Sequence, residues 1–182
     1  MTVKECVELA AVQLGIAEEV NEYFAGSRVG MEKAELLLTC FNLVENELAL
    51  DYLPLVAEEE ISSDTGVVEF SALSRDAVRV TGVTDRWGNS VAYQLFPAYL
   101  KTQPGKVKIT YTYTPEQKTM EDESDYVTLA SVRLFSYGMA AEYALAKGLF
   151  EDAAVWDKKY KEAIEAAYRI RPCKRIQSRR WV

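Results

Sequence analysis

The spacing of apolar residues changes twice along this chain, and that double change restricts the fold more than any single motif does. Up to about Asp51 the apolar positions recur with the helical period. From Leu55 to Thr114 they fall into β-branched and aromatic runs with partial alternation. From Ser124 to Arg169 the helical period returns. Helices at both ends with strands between them predict an α+β fold. The expected form is mainly a helical bundle, N-terminal helices plus a C-terminal antiparallel helix pair, with a small antiparallel β insertion. The expected boundaries are 1–54 with 120–171 for the helical domain, 55–119 for the insertion, and 172–182 for a short tail.

Within the first segment, Thr2 followed by Glu5 makes a capping-box pattern ahead of Val3, Val7 and Leu14, and Gly15 supplies a left-handed stop. A short helix over 17–24 follows. A third runs from Met31 to Asp51 on the stripe Ala34, Leu37, Leu38, Phe41, Val44 and Leu48, and ends before Pro54. In the insertion, strands are expected over 67–73, 77–85, 90–96 and 106–114. Turns fall at Asp85 to Asn89 and at Gln103 to Gly105. Four or five strands in a meander are too few to close alone, so the sheet is expected to pack on helices or on a neighbouring subunit. Val107, Ile109, Tyr111 and Tyr113 share one face of the last strand.

In the last segment Ser124 is the candidate N-cap. Leu129, Val132, Phe135, Met139, Tyr143 and Ala146 form the stripe of a fourth helix. Gly148 ends it, and Glu151 and Asp152 open a fifth helix carrying Trp156 and Tyr160. One glycine between two helices makes them antiparallel neighbours.

Chemistry is constrained mostly by what the chain does not contain. It has no histidine, so triads built on one are excluded. It carries neither a P-loop nor a dinucleotide-binding glycine motif. Cys6, Cys40 and Cys173 are an odd, scattered set, which argues against a disulfide framework and against zinc. Glu58-Glu59-Glu60 and Glu121-Asp122-Glu123 lack the alternation and glycine of a calcium loop and read as a solvated face or loop. No catalytic, metal or cofactor residues are therefore expected. Apolar runs are too short for a membrane span, and the N-terminus has no secretory signal pattern, so a cytoplasmic origin is expected.

Charge is unevenly placed. The net charge is −7, yet from Arg169 onward there are six basic residues and no acids, which leaves −13 on residues 1–168. Ile176 and Trp181 stand as apolar anchors among those cations, and arginine and tryptophan dominate interface hot spots. Arg175, Ile176, Arg179, Arg180 and Trp181 are accordingly the candidate docking residues. Arg86 and Trp87, beside Gly88-Asn89, are a second candidate contact at a hairpin tip, with folding back over the sheet as the alternative for Trp87.

The order of segments resembles the head–tail adaptor (connector) proteins of tailed bacteriophages, including the tubular adaptors of short-tailed phages. The residues that carry the resemblance are the strand KVKITYTYTP, the acidic linker after it, and SVRLFSYGMAAEYALAKGLFEDAAVWDKKYKEAIEAA with its corner glycine and its Trp156/Tyr160 pair. The resemblance spans most of the chain, though its motifs are packing motifs. It implies a structural virion protein at the head–tail junction, assembled in the bacterial host cytoplasm as a ring, dodecameric by analogy, beneath the portal. Its partners would be copies of itself, the portal protein and a downstream tail or nozzle protein. DNA would pass through the channel without specific binding, as an acidic wall does not retain phosphates. Two alternatives stay open at this level: another joining component, such as a stopper or tail-completion protein, and a nucleic-acid-binding module using the basic tail.

Overall fold

The computed structural model describes residues 1–170, so the candidate docking residues Arg175, Ile176, Arg179, Arg180 and Trp181 lie outside the described residues. The fold is α+β. The described chain divides into two units, one formed by residues 1–41 together with 119–170, the other by Asn42–Lys118.

The first unit is helical. Helix α1 (Val3–Gln13) opens with the capping box: the Thr2 hydroxyl accepts from the Glu5 amide, and the Glu5 carboxylate accepts from the Thr2 amide. α2 (Ala17–Phe24) follows the left-handed Gly15. α3 (Met31–Glu47) starts in this unit, and the division between units falls inside it. It runs into a single π-helical turn, Leu48–Tyr52, which the periodicity did not reveal. α4 (Val132–Ala146) and α5 (Phe150–Ile170) form the expected hairpin, and α4 also packs on α1. Ala140, Ala141 and Ala144 on α4 are buried and thin enough to let neighbours approach closely. The centre is aromatic: Phe41 stacks on Phe135 at 4.9 Å between ring centroids, and Tyr126 tilts against Phe135 at 5.9 Å. Burying a ring such as Phe135 stabilises by roughly 1.5–3 kcal/mol.

The fourth helix begins later than expected. Ser131, not Ser124, is its N-cap, with its hydroxyl accepting from the Leu134 amide at 3.2 Å. Ser124 is buried, and its hydroxyl accepts from the Tyr126 amide instead. The segment before α4 is tied to the chain's start: the Ser124 amide donates to the Met1 carbonyl and the Val3 amide to the Asp122 carbonyl. Holding 122–124 beside residues 1–3 delays the helix and leaves Leu129 outside its stripe, partly exposed.

The second unit carries, after the end of α3 and the π-helical turn, six strands: β1 (Leu55–Ser63), β2 (Val67–Glu69), β3 (Ala77–Asp85), β4 (Gln94–Leu95), β5 (Tyr99–Lys101) and β6 (Gly105–Tyr113). They make two three-stranded antiparallel sheets, ordered β1-β6-β3 and β2-β5-β4. The expected meander is therefore wrong. The last strand lies in the centre of its sheet, because Val107, Ile109 and Tyr111 are buried and need a neighbour on either edge. The two sheets share one apolar cluster, including Val68 and Leu100 from one and Val83 and Ile109 from the other. Sheet thus packs on sheet within this cluster, with Phe70 of the turn after β2 packed against it.

Two predicted strands also shrink. Residues 67–73 give way after Glu69 to a 3-10 turn, Phe70–Ala72, and 90–96 keeps only Gln94–Leu95. At its boundary this unit is clasped by Asn42, whose side chain donates to the Lys118 carbonyl at 3.1 Å and accepts from the Lys118 amide at 2.7 Å.

Candidate assembly surfaces

β1 was not expected from sequence, and it changes the meaning of the Glu58-Glu59-Glu60 run. Alternation sends Glu58 and Glu60 to the exposed face, where they pair with Lys108 and with Lys106 respectively, the latter at 2.5 Å. Both pairs are diagonal across β1 and β6 and well exposed, so each contributes little to stability. Glu59 points to the other side and accepts from Tyr111 and Ser74. Three carboxylates split between two faces cannot converge on a cation. Among the described residues no group of three or more Asp, Glu, Cys or His could hold a metal ion, and no helix is long and apolar enough to cross a membrane.

The hairpin tip between β3 and Ser90 is built by Asp85. Its Oδ1 accepts from the Trp87 amide at 2.8 Å and the Asn89 amide at 2.9 Å, and its Oδ2 accepts from Asn89 Nδ2 at 3.0 Å. Those donors hold the Asp85 carboxyl below its ordinary range, the Asn89 side chain most of all. Gly88, at φ +85°, completes the turn. Trp87 does not fold over the sheet: it is 70% exposed, and the Arg86 guanidinium stacks on its ring at 3.9 Å. The tip thus presents a cation–aromatic pair to solvent on a hydrogen-bonded turn.

Two further surfaces belong to the helical hairpin, and the sequence reading passed over both. At the corner, Leu145, Leu149 and Phe150 are 48%, 50% and 71% exposed around the left-handed Gly148, with Glu151 and Asp152 beside them. Lys147 in the same corner is paired with Glu32 at 3.2 Å. The signal was legible as the apolar residues of LAKGLF at a stop, where apolar side chains find no helix neighbour to cover them.

At the opposite end of the hairpin lies a mostly apolar groove of about 660 Å³. Leu129, Leu134 and Tyr137 form one wall, and Ala163, Ala166 and Ala167 of α5 form the other. The alanines leave the space, and Arg133, Lys159 and Glu162 mark its rim. Arg133 donates through Nε to the Tyr137 hydroxyl at 2.7 Å, while the Lys159 ammonium lies 4.0 Å above the Trp156 ring. Both cations are therefore held by aromatic groups. Neither makes a carboxylate pair among the described residues.

No protein-family model matches the chain, and no curated protein matches it.

Proposed function

We propose that the chain is a structural virion protein, a head–tail adaptor that forms a ring beneath the portal and continues the DNA channel towards the tail. The observation that carries this reading is the architecture in chain order. Residues from both ends of the chain build one helical unit, and the strands between them build a separate, self-contained one. That is the order on which the resemblance to adaptor proteins rests. A ring of identical subunits needs two different surfaces per subunit that meet at each contact. The apolar hairpin corner and the groove at its far end are two such surfaces. The strongly acidic body fits a wall past which DNA slides without being held. In this reading the basic segment carrying Arg175, Ile176, Arg179, Arg180 and Trp181 docks on the portal, and a tail or nozzle protein binds on the other side of the ring.

The test is to size the purified protein alone and with a portal ring from the same virus. Co-migration as one large complex is the expected result. A chain that stays monomeric beside the portal, with no association, overturns the reading. Particles lacking the protein should show filled or leaking heads without tails in electron micrographs.

A further inference from the structure

We infer that the hairpin corner of one copy docks into the α4–α5 groove of the next, so that the chain associates head to tail with itself. The inference deepens the ring reading above and rests on it only for the claim that copies associate.

The two surfaces are complementary in shape and in charge. The corner is convex: Leu149 and Phe150 project from the turn between helices. The groove is concave, and its volume accommodates both side chains against the three alanines and Leu134. The corner is flanked by the carboxylates Glu151 and Asp152, neither of which has an ion pair among the described residues. The groove rim offers the guanidinium of Arg133 and the ammonium of Lys159 on a body that is otherwise strongly acidic, with Glu162 the one rim acid. A second copy is the occupant that supplies both the apolar knob and the opposite charge.

Geometry then fixes the kind of contact. Knob and groove sit at opposite ends of one helix pair, roughly 20–25 Å apart along the axis from Phe150 to the three alanines at 1.5 Å per residue. A copy cannot fill its own groove with its own corner. A contact joining two different surfaces is heterologous, so it propagates from copy to copy and ends only by closing into a ring.

Sedimentation velocity on the full chain over a range of concentrations tests this. The wild type is expected to associate with concentration, and more weakly as salt is raised. Phe150→Glu, which spoils the knob, and Ala166→Trp, which fills the groove, should each weaken self-association at least tenfold. Both positions are exposed, and circular dichroism checks that the fold is kept. The decisive sample is their equimolar mixture. The first variant retains its groove and the second its knob, so the mixture should form a dimer and nothing larger. As a second route, reversing Glu151 and Asp152 to lysine should abolish association, and reversing Arg133 and Lys159 to glutamate in the other copy should restore it.

A wild type that stays monomeric throughout overturns the inference, as does one whose assembly both variants leave unchanged. Association that appears only after truncation following Ile170 also overturns it, because the groove would then be filled by the chain's own C-terminal segment. The two readings fail separately. Assembly through knob and groove without portal binding sinks the adaptor reading alone. Portal binding by a ring that both variants leave intact sinks this one alone.

Discussion

Tyr111, at the centre of β6 and fully buried, donates its hydroxyl to the carboxylate of Glu59 on β1. The same carboxylate accepts from the Ser74 hydroxyl at 2.5 Å and the Ser74 amide at 3.1 Å, so one side chain fastens the turn before β3 to the sheet. Burial pushes the Glu59 carboxyl up, but the Ser74 and Tyr111 donors outweigh it and hold it below the ordinary 4.5. Burial first, and then the hydrogen bond to Glu59, push the Tyr111 hydroxyl above its ordinary 10.0.

Tyr111→Phe should therefore lower stability by about 1.5–3 kcal/mol, the scale for a hydrogen bond to a charged group. The signs of the pH dependence differ for the two partners. A depressed carboxyl stabilises above its unfolded value and loses that contribution as pH falls through the folded one. The gap between wild type and Glu59→Gln should thus narrow below about pH 4.5. A raised phenol stabilises below its unfolded value and loses that contribution as pH rises through the folded one. The gap between wild type and Tyr111→Phe should narrow above about pH 10. Urea midpoints measured at pH 3, 7 and 10.5 check both limbs. A gap that stays constant with pH would remove Glu59 from this role.

Most of the helical unit was legible because its signals are local. Thr2 and Glu5 cap within one turn, and Gly15 and Gly148 stop helices by their own backbone preference. What was illegible depended on partners far away in the chain. Ser124 and Ser131 are both acceptable N-caps, and the choice is made by Tyr126 burying against Phe135 and by 122–124 pairing with the chain's start. β1 hid behind three consecutive glutamates. The usable signal was the matching period of Glu58 and Glu60 with Lys106 and Lys108, visible only if the first and last strands are imagined side by side. The hairpin tip could be anticipated from Asp85 and Gly88. The groove could not, since it exists because Leu129 falls outside α4 and three alanines face the gap.

Two left-handed glycines should respond very differently to alanine. Gly148 has φ +74° with nothing within 4 Å of the position a Cβ would take, so Gly148→Ala should cost only the backbone term, about 1–2 kcal/mol. Gly30, at φ +76°, would place its Cβ 2.1 Å from the Glu19 carbonyl oxygen. A backbone oxygen in the first turn of α2 cannot swing aside as a side chain would, so Gly30→Ala should cost clearly more. Thermal melts of the two variants side by side decide it, and equal losses would mean that the junction between α2 and α3 yields freely.

Asp85→Ala removes the acceptor of the three side-chain hydrogen bonds at the hairpin tip and leaves the two backbone ones between residue 85 and Gly88 and Asn89. The expected result is faster exchange of the Trp87 and Asn89 amides with little change in the exchange of β6. Because its carboxyl is depressed, the order it supplies is present above about pH 3.8 and is lost as pH falls through the folded value. Amide exchange at neutral pH that is identical in variant and wild type would show that Gly88 alone sets the turn.

Cys40 lies next to the stacked Phe41 in α3, and burial, reinforced by the nearby Glu142, pushes its thiol up to about 12. At pH 8 only about one part in ten thousand is then thiolate, the form that attacks a disulfide reagent. Cys6 is equally shielded, with no exposed surface. In a Cys173→Ser background, neither thiol should react within minutes in the native protein, and both should react after unfolding in guanidinium. Reaction of the native chain would have to pass through local opening, so its rate measures how often the Phe41–Phe135 contact comes apart. If Cys40 reacts as fast in the folded protein as in the unfolded chain, the centre of the helical unit is not closed, and neither the hairpin corner nor the groove would be held in a fixed geometry.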